Sequence, residues 1–324
     1  MNVRFYLPEA HLPSAENRAA WLQGEDVVLE QEGKIAAAQS WIYRTWTALA
    51  KTGCQIELVH EMPREGGVLA LAGSVAREWR KPDNMFFAAV VADGLPHPSA
   101  DLHIVQNPVH ARRLPLSVFQ PHWPQPGLVP RDGGRGAKFR RVAFFGTRNN
   151  LAEEMQDPAW AEGLARETGC VFEVRGAERW HDYSDVDAVI AVRDFRGRRQ
   201  LHKPATKLYN AWLAGVPFIG GSDSAYAAEG SPGRDYLVAR TADEVLSQLQ
   251  RLKNDPAFRA SLVAHGNAKA GGYTVETITA RWRKLVEETI PGAARRRAGN
   301  PHWLNWCSDL AMRGACTADR IFRS

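Results

Sequence analysis

The stretch RDFRGRRQLHKPATKLYNAWLAGVP, residues 193–217, decides how this chain folds. It follows one apolar run, residues 186–192, and its end enters a second, residues 216–219; both are typical of strands buried on both faces. Within it, residues from about 206 to 214 follow helical spacing, and Gly215 ends the predicted helix. The order strand, loop, helix, strand predicts a parallel α/β sheet with this loop at the carboxyl ends of its strands.

The loop in this stretch is rich in positive charge. Its cationic residues are Arg193, Arg196, Arg198, Arg199 and Lys203, and Lys207 follows in the first helical turn. A helix N-terminus adds backbone N–H donors and a partial positive charge, so this edge predicts a phosphate or pyrophosphate site. A lysine in a first turn opposes the helix dipole, and a bound anion would offset that cost. The alternative interpretation is a charged loop that only faces solvent.

The rest of the second half continues the alternation of strands and helices. Strands are predicted at residues 141–146 and 171–174, and a helix at about 151–167. Thr241 to Glu244 forms a capping box that opens another helix, and Asp255-Pro256 opens the next. This pattern predicts a Rossmann-like domain over residues 141–288.

The first half also predicts an α/β domain, over residues 1–120. The predicted elements are strands at 2–7, 54–59, 67–72, 85–92 and 101–105 and a helix at 34–51. Residues 121–140 are rich in proline and glycine and are predicted to link the two domains. Residues 289–324 form a helical tail, split from the preceding helical pattern at Ile290-Pro-Gly292 and predicted to pack on the first domain.

Composition limits the class of protein. The chain has 324 residues, 44% of them hydrophobic and 24% charged, which indicates two folded domains. Its net charge of +5 favours anionic ligands and is too small and scattered to indicate nucleic acid. The four cysteines form no CxxC pair and no apolar run is long enough to span a membrane, which predicts a cytoplasmic protein.

The segment KPATKLYNAWLAGVPFI, residues 203–219, resembles the donor-binding segment of group 1, family-4-like retaining glycosyltransferases of the GT-B kind. The resemblance covers residues 141–288 and extends to the first domain only through architecture. It implies two Rossmann-like domains facing a cleft, with C-terminal helices that return to the first domain. It also implies a nucleoside-diphosphate sugar as co-substrate, with no cofactor and no metal.

The resemblance assigns roles by position. Arg193, Arg196, Lys203 and Lys207, with the turn Gly146-Thr147-Arg148, would bind the donor diphosphate. Asn210 stands where the family has its ribose-binding glutamate, and His202 where the family has a sugar-contacting glutamate. Ser222 and Glu229 would belong to a donor-side loop. Each of His202, Asn210, Ser222 and Glu229 has an alternative as an ordinary loop or helix-surface residue.

The first domain would hold the acceptor and, in an inverting enzyme, the catalytic base. Asp93 follows a buried apolar run and is the predicted base, while His11 and Glu61 follow the first and second predicted strands. A carboxylate or an imidazole at a strand end can deprotonate an acceptor hydroxyl. Each of the three is equally compatible with a solvated loop.

Three functions remain open at this point. The first is a metal-independent hexosyltransferase, retaining rather than inverting, that transfers sugar to a saccharide or lipid-linked acceptor in bacterial surface polysaccharide or glycolipid assembly. The second is a nucleotide-sugar epimerase of the same fold. The third is a non-catalytic nucleotide-sugar-binding protein, which the absence of both family glutamates favours.

The tail combines arginine with tryptophan. Arg295, Arg296 and Arg297 precede Trp303 and Trp306. These residues predict either peripheral association with the inner face of a membrane or a terminal helix packed onto the body through its tryptophans, and we favour packing because such side chains are usually buried.

Overall fold

The computed structural model describes residues 1–25, 27 and 33–321, with side chains as far as residue 319. Parts of the predicted first domain (26 and 28–32) and tail (322–324) therefore lie outside the described residues. The described chain forms two compact units. The first contains 1–25, 27, 33–122 and 276–321, and the second contains 123–275.

The first unit is built on a six-stranded, fully parallel sheet. Its strands are β1 (Val3–Tyr6), β2 (Ile56–Val59), β3 (Gly66–Leu71), β4 (Met85–Val90), β5 (Leu102–Val105) and β6 (Ser117–Phe119), in the order β2-β1-β3-β4-β5-β6. Every residue of β4 and β5 is buried. Burial on both faces explains the unbroken apolar sequence of β4, and β5 is apolar except for the buried His103. The edge strand β6 was not predicted, because three half-buried residues carry little periodicity.

Four α-helices come before β6 in the chain. They are α1 (Ala15–Gln23), α2 (Lys34–Ala38), α3 (Arg44–Ala50) and α4 (Pro108–Ala111). A π-helical turn, Gln39–Tyr43, joins α2 to α3, so the helix predicted at 34–51 is continuous. Ser14 caps α1 and Asn107 caps α4, each by accepting a backbone N–H bond in the first turn.

The second unit has a five-stranded parallel sheet. Its strands are β7 (Arg141–Phe145), β8 (Val171–Arg175), β9 (Ala188–Ala191), β10 (Phe218–Gly220) and β11 (Leu237–Val238), in the order β11-β10-β9-β7-β8. Its helices are α5 (Pro158–Thr168), α6 (Thr206–Leu213), α7 (Ser224–Glu229), α8 (Ala242–Asn254) and α9 (Pro256–Ala270). Thr241 Oγ1 accepts the Glu244 N–H at 3.1 Å, as predicted for the cap of α8.

One helix of this unit begins later than predicted. The α-helix expected from residue 151 starts at Pro158, after two short 3₁₀ turns. Asp157 accepts the Ala159 N–H at 2.9 Å, and Pro158 occupies the first helical position. A cap followed by proline fixes a helix start, because proline has no N–H to give to an earlier turn.

The chain ends in α10 (Val275–Lys284), α11 (Ile290–Gly299) and α12 (His302–Ile321). The prediction of a break at Ile290-Pro-Gly292 was wrong, because a π-helical turn, Leu285–Thr289, carries the helix into α11. Its wider turn accommodates the missing proline N–H. The helix breaks instead at Asn300-Pro301. The first unit includes the described residues from 276 onward, whereas the tail was predicted to begin at 289.

The segment predicted as an interdomain linker is held against the second unit from residue 123 onward. Val129 donates its N–H to His181 O at 2.8 Å and accepts from Tyr183 N at 3.0 Å. The Arg131 guanidinium meets the buried Asp187 carboxylate at 2.9 Å. The prolines prevent regular structure here, while hydrogen bonds to neighbouring loops satisfy the backbone. In the described part of the chain, no helix is long and apolar enough to cross a membrane.

Candidate donor site

Helix α6 is fixed in the second unit by Trp212. The indole Nε1 donates to Asp235 O at 2.9 Å, and the ring packs on Gly266 of α9, where an added Cβ would lie 2.5 Å from the indole. Trp212 itself is buried. These contacts set the position of the first turn of α6, which carries Lys207.

The strand order of the second sheet defines one reversal point. Successive connections run from β7 to β8 on one side and then back past β7 to β9, so the order reverses between β7 and β9. Open parallel sheets bind their ligands outside the carboxyl ends of the strands at such a point. The turn at Gly146 follows β7, and the loop 192–205 follows β9 and leads into α6. Ala152 donates its N–H to Val192 O at 2.9 Å, which ties the two connections together.

Gly146 and Lys207 are neighbours at this edge. A Cβ added to Gly146 would lie 3.5 Å from Lys207 Cε and 3.1 Å from the Phe144 ring. Gly146 has φ +150°, a conformation that side chains disfavour. Lys207 Nζ lies 5.3 Å from the centroid of the Phe144 ring. The structure therefore brings together a glycine turn and a helical cation that are 61 residues apart in sequence.

Gly146→Ala is expected to lower the free energy of unfolding by about 1–3 kcal/mol and to weaken binding of a nucleoside diphosphate. The added methyl group must displace the Phe144 ring and press on the Lys207 side chain. Urea denaturation and calorimetric titration measure the two effects. Gly163→Ala is the control, because Gly163 lies within α5 and its added Cβ meets only Arg166, at 3.8 Å. Unchanged stability and binding in Gly146→Ala would contradict the prediction.

The start of α6 has no side-chain cap. Its N-cap residue is Ala205, and no side chain accepts a bond from the first turn. The Thr206 hydroxyl oxygen is buried and has no hydrogen-bond partner among the described residues. Helix N-termini without a cap leave donors that an anion can satisfy. This end of α6 therefore suits an anionic group.

Arg193 forms a buried ion pair. Its Nε lies 3.0 Å from Asp223 Oδ1, and the two side chains are 10% and 3% exposed. Burial raises the pKa of the Asp223 carboxyl above its usual value, and the charges of Arg193 and Lys207 oppose that rise. Asp223 thus links the predicted cations Arg193 and Lys207 electrostatically.

Arg196 lies apart from this group. Its side chain is 67% exposed, and its guanidinium meets the exposed Glu153 carboxylate at 3.4 Å. Asp194 shapes this part of the loop by accepting the Arg196 N–H at 2.9 Å and the Gln200 amide at 2.7 Å. Arg196 is therefore a surface residue. Among the described residues, no hydrogen bond or ion pair of Arg196 connects it to Lys207.

The predicted catalytic residue His202 and the remaining predicted phosphate ligands have mixed positions. His202 and Lys203 are half-buried in the loop before α6, where Lys203 donates its N–H to Gln200 O at 2.9 Å. Thr147 Oγ1 accepts the Asn150 amide at 2.7 Å. The exposed Arg148 donates to Gln156 O at 2.7 Å, so its guanidinium is directed along its own loop.

Asn210, Ser222 and Glu229 also belong to the second unit. Asn210 is buried, and its Oδ1 accepts the Gln125 N–H at 3.0 Å, which holds the proline-rich segment to α6. Glu229, at the end of α7, accepts the Tyr273 hydroxyl. Ser222 is half-buried beside Asp223, in the turn after β10. Asn210 and Glu229 thus have structural partners in addition to any part in donor binding.

The predicted base belongs to the first unit. Asp93 is exposed after β4, where Ala92 has φ +48°, and it accepts the Gln106 amide from the end of β5. His11 Nδ1 lies 3.3 Å from Ser74 Oγ, which follows β3. Glu61 is exposed after β2. Asp93 and His11 thus lie at the carboxyl edge of the first sheet with polar partners.

Three residues that lie at the carboxyl edges of the two sheets were not predicted from the sequence. They are Asp223, Thr206 and Ser74. Asp223 follows Gly-Gly-Ser after a buried strand, and that signal was available in principle. Nothing local distinguishes Thr206 or Ser74, because their significance depends on neighbours brought in by the sheet.

A family model matches part of the chain, mostly in the second unit. Residues 138–286 match the family model described as Glycosyl transferase-like. No curated protein sequence matches the chain significantly.

Several solved structures share the architecture. Sucrose-phosphate synthase from Thermosynechococcus elongatus aligns over 90% of this chain and 100% of its own, with a TM-score of 0.57 and 13% identity. AviGT4, a glycosyltransferase of avilamycin A biosynthesis, aligns over 90% and 98%, with a TM-score of 0.55 and 16% identity. HepE of Anabaena, solved with UDP-glucose, aligns over 88% and 99%, with a TM-score of 0.51 and 12% identity.

These findings confirm the resemblance to group 1 glycosyltransferases and the two-domain GT-B fold. The class of reaction that the family model supports is glycosyl transfer.

Proposed function

We propose that this chain is a metal-independent hexosyltransferase that moves a sugar from a nucleoside diphosphate to a saccharide or lipid-linked acceptor. The proposed setting is bacterial surface polysaccharide or glycolipid assembly, with a retaining outcome. The observation that carries the proposal is the juxtaposition of Gly146 and Lys207 at the reversal point of a glycosyl transferase-like domain. The UDP-glucose complex of HepE makes a uridine donor the first to test.

The chemistry follows from charge. The bond between the anomeric carbon and the diphosphate oxygen breaks, and the acceptor hydroxyl oxygen forms the new bond to that carbon. The diphosphate gains negative charge as it leaves, and in a retaining reaction it can take the acceptor proton. Fixed cations stabilise this charge because they are already oriented before the bond breaks. In our proposal Lys207 and the uncapped start of α6 do this directly, and Arg193 contributes from its pair with Asp223.

The remaining predicted residues would contact the donor or, in the case of Asp93, the acceptor. Lys203, Gly146 and Thr147 line the diphosphate, His202 contacts the donor sugar, and Asn210 helps bind the ribose. Arg148, whose guanidinium donates to Gln156 O, would have to turn toward the phosphate. Arg196 would have to move its exposed side chain toward the phosphate. Asp93 would act as base only if the outcome were inverting. We further propose a cytoplasmic location, at the inner face of the membrane when the acceptor is lipid-linked.

A nucleoside diphosphate is expected to stabilise the chain in a thermal-shift screen. At roughly one hundred times its Kd, a ligand of the native state adds about 2.7 kcal/mol, which raises the Tm by roughly 5–10 °C. The nucleosides without phosphate are the control, and they should produce a much smaller shift. If no diphosphate raised the Tm more than its nucleoside, the proposed donor site would be wrong.

Turnover separates the open alternatives. With a donor labelled in its sugar and a mixture of saccharide acceptors, transfer moves the label from the nucleoside diphosphate to an acceptor. An epimerase would convert the donor sugar without any acceptor. A non-catalytic protein would bind the diphosphate and convert nothing.

A further inference from the structure

Helix α12 presents a continuous apolar face to solvent. Trp303, Trp306 and Leu310 are 65%, 60% and 55% exposed. Their spacing of three and four residues places them on one side of a helix, together with the exposed Cys307. The interpretation that these tryptophans pack onto the body was therefore wrong.

The opposite face of α12 is the one that packs. Met312 and Cys316 are buried in a cluster with Val91, Val105 and Leu114 of the first unit. Asp319 lies 3.1 Å from His110 Nε2, on this same side of the helix. Because the helix already has a buried face, its tryptophan face is a second surface that the first unit leaves uncovered.

Ion pairs and hydrogen bonds hold the helix in place. Arg297 of α11 meets Asp309 of α12 at 2.9 Å and Asp101, the residue before β5, at 2.9 Å. Asn305 donates its amide to Arg297 O at 2.9 Å. These contacts fix the first turns of α12 to the end of α11, so the tryptophan face lies on a helix with a defined position.

Exposed arginines lie on both α11 and α12. Arg313 is exposed on α12, and Arg295 and Arg296 are exposed on α11. The acidic residues of α12, Asp309 and Asp319, are directed to Arg297 and His110 instead. Arg313 lies three residues after Leu310, one turn further along the same helix. An apolar stripe with tryptophan, on a pair of helices that exposes arginines, complements an anionic surface that also accepts apolar side chains.

We propose that this face of α12 docks the protein on an anionic lipid bilayer, with the helix lying in the plane of the interface. A helix of 20 residues is about 30 Å long, so it can place Trp303, Trp306 and Leu310 among the upper acyl chains together. The arginines then reach the phosphate layer. The purpose of this docking rests on the proposed lipid-linked acceptor. The docking itself does not require a bound donor.

Vesicle binding by the full chain tests this assignment. Vesicles of phosphatidylcholine alone are compared with vesicles of equal parts phosphatidylcholine and phosphatidylglycerol. The chain is expected to co-sediment with the mixed vesicles and to be released by salt, because salt screens the arginines. Trp306→Ala is expected to lower the partition coefficient roughly tenfold. Arg295→Gln with Arg296→Gln should lower binding to the mixed vesicles only.

Two control variants make the test specific. Leu22→Ala removes a 54% exposed apolar side chain from α1, and Arg234→Gln removes a 69% exposed cation from the second unit. Both should bind vesicles as the unaltered chain does. Equal binding by Trp306→Ala would overturn the proposal. So would a concentration-dependent dimer in sedimentation that Trp303→Ala abolishes, because the face would then pair two copies.

The thermal shift with nucleoside diphosphates is measured on the same variants. Retained shifts with lost vesicle binding support the docking face and leave the donor site intact. Vesicle binding without any diphosphate shift would instead count against the proposed function alone.

Discussion

Lys207→Ala is expected to lower the rate of sugar transfer by about 10²–10³-fold. The same change should weaken nucleoside diphosphate binding, because the cation at the start of α6 is lost. The fold should remain, since Lys207 is half-buried and its amine lies over the Phe144 ring, 5.3 Å from the centroid, where it has no apolar packing role. Transfer from labelled donor measures the rate, and calorimetry measures the Kd.

The control for this change is Arg166→Ala, which removes an exposed cation from α5 in the same unit. It should leave both the rate and the Kd unchanged. Lys207→Arg keeps the charge on a bulkier group and should recover part of the binding and less of the rate. Diphosphate binding that is unchanged in Lys207→Ala would remove this residue from the site.

Asp187→Ala is expected to lower the free energy of unfolding by about 3–5 kcal/mol. The Asp187 carboxylate is 1% exposed and pairs with Arg131 at 2.9 Å and Arg135 at 2.7 Å. It also accepts the N–H groups of Arg140 and Arg141 at 2.8 and 2.9 Å. Its removal leaves two guanidinium groups and two backbone donors without their acceptor at the start of β7. Urea denaturation measures the loss.

Asp243→Ala is the control for that loss, because it removes an exposed carboxylate from α8. Its effect should stay within about 0.5 kcal/mol. A similar small effect of Asp187→Ala would show that the arginines and N–H groups find other acceptors. Asp187 also belongs to an Asp-x-Asp triplet, Asp185-Val-Asp187. The carboxylate of Asp187 pairs with Arg135, and that of Asp185 pairs with Arg141.

The same residue should contribute to the pH dependence of stability. Burial raises the pKa of the Asp187 carboxyl, but bonds from Arg135, the N–H groups of Arg141 and Arg140, and Arg131 outweigh it and hold the pKa below its usual value. A depressed pKa gives stability that is present above the unfolded value, near about 3.9, and is lost as the pH falls through the folded value. Asp187→Asn should therefore lose less stability than the unaltered chain over that acid range.

Local sequence was sufficient for much of the second unit. The apolar runs at β7, β9 and β10 predicted strands because strands buried on both faces require apolar side chains throughout. Thr241 and Asp255 predicted the starts of α8 and α9 because a cap acts within one helical turn. The basic loop before α6 predicted an anion site from the same short range of residues.

Long-range packing decided the rest. The sequence predicted that Lys207 and Gly146 serve one site, but only the strand order puts them side by side, and only the fold pairs Arg193 with Asp223. Helical periodicity showed that α12 has apolar residues, but not which face would be covered. That depended on Met312 and Cys316 meeting a cluster formed by β5 and its neighbours. A pattern of side chains determines what an element can bury, whereas the partners that fold against it determine what it does bury.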